Sequence, residues 1–131
     1  MHTFRIPLGG NPIDNRSDIW KIDDEDVRIA IQYIRCHACL GINVSNVVAA
    51  VNASRSSLEP RFYRVIGHSI HTEIKKTQIR QVRHLLTTGK MTLEQIAKRT
   101  GFPHVQHMAT LFRQQTKMNP TAYRNKHSKN E

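Results

Sequence analysis

Apolar residues recur every three or four positions along this chain from about residue 23 onward. This is the spacing that lines one face of an α-helix. No segment alternates apolar and polar residues for long enough to predict a β-strand. The pattern therefore predicts an all-α fold of about seven helices.

The first half of the pattern predicts three helices. An acidic run at 23–26 places negative charge where a helix N-terminus favours it, and this first helix is expected to end near Ala38. A short second helix is predicted over 44–51. After a turn near 52–54, a third helix carries its apolar side chains on one face and ends at Gly67.

The second half predicts four more helices. The fourth begins near Ile70 and has about 17 residues, or on the order of 25 Å at 1.5 Å per residue. Thr92 begins the fifth and fits a capping box with Gln95. A Gly-Phe-Pro turn leads to a sixth helix from about His104. A last short helix begins at the Asn-Pro pair 119–120, where proline takes the favoured first helical position.

Helices two and three, and again helices five and six, are joined by a turn in the order of a helix-turn-helix motif. The repeat occupies 43–62 and 92–112. Two rigidly linked reading helices can reach two successive major grooves of DNA without a dimer partner. We therefore expect a homeodomain-like pair of subdomains joined by a long linker helix. The expected parts are a linker or tail at 1–25, a first subdomain at 26–68, a linker helix at 69–88 and a second subdomain at 89–127.

The distribution of charge along the chain indicates the kind of partner that it binds. The formal net charge is +10, and residues 1–26 hold six of the ten acids but only three of the twenty Lys and Arg residues. The remaining 105 residues therefore carry 17 bases against four acids, a net of +13. A surface this basic favours a polyanion, and nucleic acid is the predicted partner; a merely well-solvated surface is the alternative interpretation.

Other classes of protein are less compatible with the sequence. No apolar run approaches the roughly 18 to 20 residues that span a membrane, and no signal-peptide core is present, so we predict a cytoplasmic protein without a membrane partner. Cys36 and Cys39 form a C-x-x-C around His37, but no second cysteine pair or H-x3-5-H cluster supplies the about four ligands of a zinc site. We expect two reduced, partly buried thiols, with no metal and no cofactor. No histidine has a plausible catalytic partner, so an enzyme is not predicted.

A known family matches the second half of the chain in detail. The matching residues are I-A-x-x-x-G-F at 96–102, F-R at 112–113, N-P at 119–120 and Y-R at 123–124, with S-R-S-x-L-E-x-R-F at 54–62 in the first half. Over about residues 26–126 the chain resembles the AraC/XylS family of transcriptional regulators. The resemblance implies a DNA-binding domain that reads two adjacent major grooves of double-stranded DNA with helices three and six. It also implies RNA polymerase as a partner.

A narrower resemblance concerns two shorter segments. Within the family, I-R-x-H-A-C-x-G-I at 34–42 and R-S-D at 16–18 are similar to the xylose-operon regulators, in which this domain follows a sugar-binding sensor. This implies regulation of a bacterial sugar operon. It also implies a sugar effector that acts only through a sensor domain absent from this chain, and a tail at 1–25 that leads from that sensor.

The chain departs from the family at several positions. Pro60 and Thr110 stand where many members carry an Arg that contacts bases, and neither can make the bidentate contact of Arg with guanine. In helix four, Gln78 and Val82 stand where the family often has Arg and Ala. The contacting side chains of this chain are therefore expected to differ from those of the family.

Pro60 leaves two starts open for helix three. If Ser54 caps the helix, Pro60 lies in its interior at a cost of about 3 kcal/mol. If Ser56 caps it and Glu59 completes a capping box, Pro60 falls in the first turn, where the cost is smaller. We expect the late start or a kink near 56–60, which directs reading toward the N-terminal end of the helix.

Base contacts are predicted at that end of helix three and, from comparison with the family, along helix six. They are Ser54, Arg55, Ser56, Ser57 and Glu59 in helix three, and Val105, Gln106, His107 and Thr110 in helix six. Gln106 is the best reader, since its amide can pair with adenine N6 and N7, while Val105 and the Thr110 methyl suit the thymine methyl. Glu59 either accepts from cytosine N4 or only caps the helix. His107 either reads a base or lies at the rim of the core.

Phosphate contacts are expected from bases that flank the reading helices and from helix N-termini. They are Arg61, Arg64, Lys75, Lys98, His104 and Arg113. Any one of them could instead be a solvated charge, and His104 could cap helix six.

Two other functions stay open. Charge alone also supports a non-specific architectural DNA-binding protein. The domain type of this family also occurs in DNA alkyl-repair regulators, whose cysteines bind zinc and accept alkyl groups; Cys36 and Cys39 lack the companions for that chemistry. Two reading helices with unlike polar faces favour the sequence-specific regulator.

Overall fold

Helices form all the regular structure in the part of the chain that the structure describes. The computed structural model describes residues 16–127, with side chains from Ile19 onward. Within that range the α-helices are α1 (Glu25–His37), α2 (Val44–Ala49), α3 (Arg55–Ile66), α4 (Ile70–Thr88), α5 (Leu93–Arg99), α6 (Val105–Thr116) and α7 (Pro120–His127). Two 3₁₀ helices, Arg16–Lys21 and Ala38–Leu40, flank α1, and these residues include no strand. The predicted all-α fold is confirmed, whereas most of the predicted tail at 1–25 lies outside the described residues.

Two hydrophobic cores divide the helices into two lobes that share α4. The first lobe contains α1 to α3 and the N-terminal half of α4, from which Ile70 and Ile74 enter its core. The second lobe contains the C-terminal half of α4, from which Ile79, Val82 and Leu86 enter the other core, and α5 to α7. α4 has 19 residues rather than about 17, which makes it roughly 28 Å long. It is therefore both the linker and a wall of each core.

The two lobes hold their long helices in the same way. Leu58 and Phe62 of α3, and Met108 and Phe112 of α6, are fully buried. Each pair is four residues apart, so both side chains point inward from one helix face. Burying side chains of this size stabilises the fold by about 1.5–3 kcal/mol each. The opposite faces of α3 and α6 are consequently directed outward.

The first helix of each helix-turn-helix also begins in the same way. Asn43 before α2 and Thr92 before α5 both form capping boxes, which satisfy backbone N–H groups that have no partner inside the helix. The predicted box of Thr92 with Gln95 is confirmed. The Gln95 N–H donates to Thr92 Oγ1 at 3.1 Å, and the Thr92 N–H donates to Gln95 Oε1 at 2.9 Å.

The predicted late start of helix three is wrong, while the alternative of a kink near 56–60 stays a prediction. Ser54 caps the helix, because its Oγ accepts from the Ser57 N–H at 3.2 Å, and α3 begins at Arg55. α3 then continues without interruption through Pro60. The N–H that proline lacks would bond to the carbonyl of Ser56, an exposed residue whose carbonyl can bond to water, so the loss is small enough for the helix to continue.

Glu73 of α4 is a buried carboxylate inside the first lobe, with its side chain 3% exposed. Its Oε2 accepts from Arg35 Nε of α1 at 3.4 Å and lies 3.5 Å from Arg80 Nη2, while its Oε1 pairs with His68 Nε2. Burial acts to raise the pKa of Glu73. The hydrogen bond with His68 and the charges of Arg35 and Arg80 outweigh that effect and hold the pKa below its ordinary value of 4.5.

Candidate nucleic-acid interface

The outward face of α3 begins with a cluster of exposed hydroxyl groups. Ser54, Ser56 and Ser57 are all exposed. Ser54 Oγ is engaged as the helix cap and lies 3.4 Å from Ser56 Oγ. Ser57 Oγ accepts from Arg61 Nη2 at 3.2 Å. Two of the three predicted serines thus also have structural roles.

Arg55 and Glu59 form a surface ion pair on this face. Arg55 Nε donates to Glu59 Oε2 at 3.1 Å, and the two side chains are 55% and 44% exposed. Glu59 therefore does not cap Ser56, the alternative role considered for it. Exposed pairs one helical turn apart contribute only about 0.3–0.5 kcal/mol to stability. The pair can rearrange at little cost to present donors and an acceptor to a ligand.

Arg61 lies in a different environment from the one expected of a phosphate contact. Its Nη1 donates to both carboxylate oxygens of Asp24 at 2.8 Å, and its Nη2 donates to Asp26 Oδ2 at 3.0 Å. The hydrogen bonds to Asp24 and Asp26 raise the pKa of Arg61. The guanidinium thereby joins α3 to the N-terminal turn of α1.

Sequence reasoning missed this connection. The acidic run at 23–26 already had an explanation, because Asp24 caps α1 by accepting from the Val27 N–H. Arg61 is 37 residues away from Asp24. Periodicity and caps report only on neighbours along the chain, so no signal in the sequence pointed to the pair.

The outward face of α6 has fewer internal contacts. Gln106, His107 and Thr110 are exposed, and Val105 is half-buried. Within residues 16–127, Gln106 and Thr110 have no side-chain hydrogen bond in the structure. The His107 ring contacts the edge of Phe102, with 5.5 Å between ring centroids, so His107 touches the core while remaining exposed.

The other expected phosphate contacts are distributed along the chain from α3 to α6. His104 occupies the N-cap position of α6 without making a side-chain cap bond. Arg64, Lys98 and Arg113 are exposed. Lys75 is half-buried, with Nζ 5.6 Å from the centroid of the Phe102 ring, and burial lowers its pKa. Apart from Lys75, these groups are available to solvent and to a polyanion.

The cysteines do not form one cluster with other metal ligands in the described part of the chain. Cys36 is exposed at the end of α1, which corrects the expectation that both thiols are partly buried, and Cys39 is partly buried in the following 3₁₀ helix. Burial raises the pKa of Cys39 to about 11, so it stays a thiol at neutral pH. Among residues 16–127, no three His, Cys, Asp or Glu side chains are placed to hold a metal ion.

No helix in this range is long and apolar enough to cross a membrane.

Comparison with known proteins connects this geometry to a family. A sequence family described as "Helix-turn-helix domain" matches residues 47–126, more than half of the chain. The xylose operon regulatory protein of Escherichia coli K12 is 36% identical over 117 residues, which cover 88% of this chain and 30% of that protein. The arabinose operon regulatory protein of the same strain is 28% identical over 114 residues, covering 86% of this chain and 36% of that protein. The chain thus spans about a third of the length of these relatives.

Solved structures agree with the fold. The structure of a xylose-binding transcription activator superimposes with a TM-score of 0.74 at 35% identity, covering 82% of this chain and 28% of that one. The DNA-binding domain of AdpA, a global transcriptional factor, in complex with a target DNA, superimposes with a TM-score of 0.73. It is 23% identical and covers 77% of this chain and 91% of that one. At that identity the second comparison supports the fold alone.

Proposed function

We propose sequence-specific recognition of double-stranded DNA as the function of this chain, which belongs to the helix-turn-helix domain family in its AraC-type form. The observation that carries the proposal is the matched pair of long helices, α3 and α6. Each is anchored by two buried side chains and turns a polar face outward. An α-helix of this kind fits the major groove of B-DNA, and two of them can read two adjacent grooves.

α6 is proposed as the more selective reader. Gln106 is exposed, and its amide is able to pair with adenine N6 and N7. Thr110, one helical turn further on, and Val105 can contact a thymine methyl, and His107 can donate to a base edge from beside Phe102. A good bidentate pair is worth about 1–3 kcal/mol of discrimination between bases.

α3 is proposed to read with the ion pair at its N-terminal end. With Nε held by Glu59, Arg55 still has two terminal amino groups that can address guanine O6 and N7. Glu59 can accept from cytosine N4 while Arg55 balances its charge against the DNA phosphates. Ser54, Ser56 and Ser57 keep hydroxyl groups that can bond to bases beside their structural roles.

Phosphate contacts are proposed for Arg64, Lys98, Arg113, His104 and, with a smaller share, Lys75. These side chains lie on the reading helices or on the helices next to them in the chain, and would fix the register on the duplex without adding sequence information. We assign Arg61 a different role. Because the guanidinium already binds the N-cap carboxylate of Asp24 and the first-turn carboxylate of Asp26, we propose that Arg61 positions α3 and does not contact phosphate.

The wider setting is proposed from the relatives. Those described above are regulators of the xylose and arabinose operons in a bacterium. We propose that this chain acts in the bacterial cytoplasm as the DNA-binding part of a sugar-operon regulator, with RNA polymerase as a partner. A sugar effector would act through a separate sensor domain. Identity of 36% over most of this chain supports the functional analogy with the xylose operon regulators.

Selection of bound duplexes from a random pool tests the proposal. We expect a motif in two parts about one helical turn apart, and a specificity ratio of at least about 10³ over random duplex at physiological salt. A ratio near one would overturn sequence-specific recognition and favour the architectural alternative. A single motif would restrict base reading to one helix.

A further inference from the structure

The two lobes meet at a point where the backbone of the second lobe leaves no room for a side chain. Gly101 lies in the turn between α5 and α6 with φ +86°. A Cβ at Gly101 would lie 2.9 Å from the Cys39 carbonyl oxygen, 2.9 Å from the Gly41 nitrogen and 3.0 Å from Gln78 Nε2. Carbon atoms do not approach backbone atoms this closely without displacement. The turn of the second lobe therefore packs directly on the backbone of the first.

The first lobe contributes a turn at Gly41, where a Cβ would lie 3.8 Å from the Gly101 carbonyl oxygen, an ordinary contact distance. Gly41 ends the 3₁₀ helix Ala38–Leu40 with φ +82°, and its N–H donates to the Ala38 carbonyl at 3.2 Å. This turn leads from α1 into α2, just as Gly101 leads from α5 into α6. The contact thus joins two different turns. In the first lobe it is the turn before the helix-turn-helix of α2 and α3, and in the second lobe it is the turn inside the helix-turn-helix of α5 and α6.

A buried amide reinforces the contact from α4. Gln78 is 1% exposed and lies in the middle of α4, where the chain passes from one core to the other. Its Nε2 donates to the Thr100 carbonyl at 2.9 Å. Thr100 is itself fully buried, and its hydroxyl donates to the Ile96 carbonyl at 2.7 Å. A buried hydrogen bond of this kind is costly to break, because its partner is then left without water or protein.

We propose that these residues form a glycine junction, consisting of Gly41, Gln78, Thr100 and Gly101, that fixes the separation and rotation of α6 relative to α3. A single helix such as α4 could bend and twist between two independent lobes. A second point of contact beside it makes the two lobes one rigid body. The glycine junction consequently sets the spacing between the two half-motifs that the chain can bind at once.

This inference rests on the proposed function, since it concerns DNA that both helices contact. One added base pair moves a half-motif by about 3.4 Å and rotates it by about 35°. A rigid protein cannot follow that change with both helices, so it loses the base contacts of one. We expect affinity to fall about 10- to 100-fold for each single-pair change of spacing.

The test compares two glycine substitutions with the same backbone strain. Gly67 has φ +98°, and a Cβ there would meet nothing within 4 Å. Gly67→Ala and Gly101→Ala both force alanine into the left-handed region, but only Gly101→Ala drives a methyl group into the glycine junction. Because the backbone strain is common to both variants, any difference between them in DNA binding is due to the methyl group in the glycine junction.

We measure the dissociation constant for a series of duplexes that carry the two half-motifs selected by the wild type. The spacing between the half-motifs is the selected one, one base pair shorter, or one or two base pairs longer. Wild type and Gly67→Ala should show the same sharp optimum. Gly101→Ala should bind the optimal duplex less tightly and lose most of its discrimination between spacings. A Gly101→Ala profile as sharp as that of Gly67→Ala, with the same optimum, would overturn the proposal.

A second variant and a measurement without DNA protect the test against misfolding. Gln78→Met keeps the side-chain volume but removes the bond to Thr100, and should broaden the spacing profile in the same direction. Amide hydrogen exchange at Gly41 should accelerate by about tenfold or more in Gly101→Ala and stay unchanged in Gly67→Ala. Equal exchange rates in both variants would refute the junction even if no DNA motif were found. Absence of any motif for wild type would instead refute the proposed function.

Discussion

α3 in the first lobe and α6 in the second are both twelve residues long and rest on two buried side chains four residues apart. Their outward faces nevertheless differ. On α3, Arg55 pairs with Glu59, and Arg61 reaches back to α1. On α6, Gln106 has no such internal partner among the described residues. A common backbone frame thus supports one face that is organised by internal contacts and one that is open to a ligand.

This difference suggests that α3 and α6 contribute differently to DNA recognition. Side chains held by internal ion pairs lose little conformational entropy on binding, but part of their hydrogen-bonding capacity is already used. Unpaired side chains must be ordered by the ligand, but they can use all their donors and acceptors on it. We expect the first lobe to contribute orientation and modest selectivity, and the second lobe to contribute most of the base preference.

Removing the aromatic anchor of either lobe should have the largest effect. Phe62→Ala and Phe112→Ala each delete a fully buried ring, and each should reduce the free energy of unfolding by about 3–5 kcal/mol. Urea unfolding followed by helical circular dichroism measures both. Tyr63→Ala, at a 60% exposed neighbour, is the control and should change little. Losses below 1 kcal/mol for one phenylalanine would show that the two lobes are not anchored alike.

Truncating the side chains proposed to contact bases should show that the α6 face contributes more to sequence preference than the α3 face. Gln106→Ala should cost about 1–3 kcal/mol on the selected duplex and relax the preference at one or two base pairs. Glu59→Ala should cost less, because Glu59 shares its carboxylate with Arg55. Binding to each single-base variant of the selected motif measures both effects. Equal losses on the selected and random duplexes would contradict base reading by Gln106.

Acid should weaken the first lobe before the second. The pKa of Glu73 in the folded protein lies below its ordinary value of 4.5, so its pairing stabilises the fold above that pH and the contribution is lost as the pH falls through the lower folded-state value. Glu73→Gln should reduce the free energy of unfolding by about 1–3 kcal/mol at pH 7 and flatten its dependence on pH below 4.5.

Hydrogen exchange resolved by residue, measured between pH 7 and pH 3, locates this loss. In the second lobe, the described acid Glu94 is exposed and has no comparable buried environment. The amides of α1 and α3 should therefore lose protection before those of α6. Simultaneous loss in both lobes would show that they unfold as one unit.

The smallest expected effect is on the salt dependence of DNA binding, which should distinguish a residue that contacts phosphate from one that positions a helix. Lys98→Ala should weaken binding to all sequences alike and lower the slope of log K against log salt concentration by about 0.9. Arg61→Ala removes the same charge, but we expect it to leave that slope unchanged, because Asp24 and Asp26 already neutralise the guanidinium. Titrations at several salt concentrations decide between them. An equal decrease of the slope for Arg61→Ala would restore Arg61 to the phosphate contacts.

Much of the fold could be predicted because its signals are local. Helical spacing, the capping box of Thr92 with Gln95 and the glycine at 67 all act within a few residues, and the structure agrees with them. Where two local signals competed, the predicted late start of α3 was wrong. Pro60 suggested a later start of α3, but the Ser54 cap prevailed, since the carbonyl that proline leaves unbonded belongs to an exposed residue.

The sequence by itself therefore determined the helices, their order, the repeated helix-turn-helix frame and the basic charge that favours DNA. Only the tertiary structure decided what the side chains on that frame touch. It directed Arg61 to acids 35 and 37 residues away and brought Gly101 onto Gly41. The physical reason is range: periodicity and caps record contacts within one or two helical turns, whereas these contacts depend on how whole helices pack.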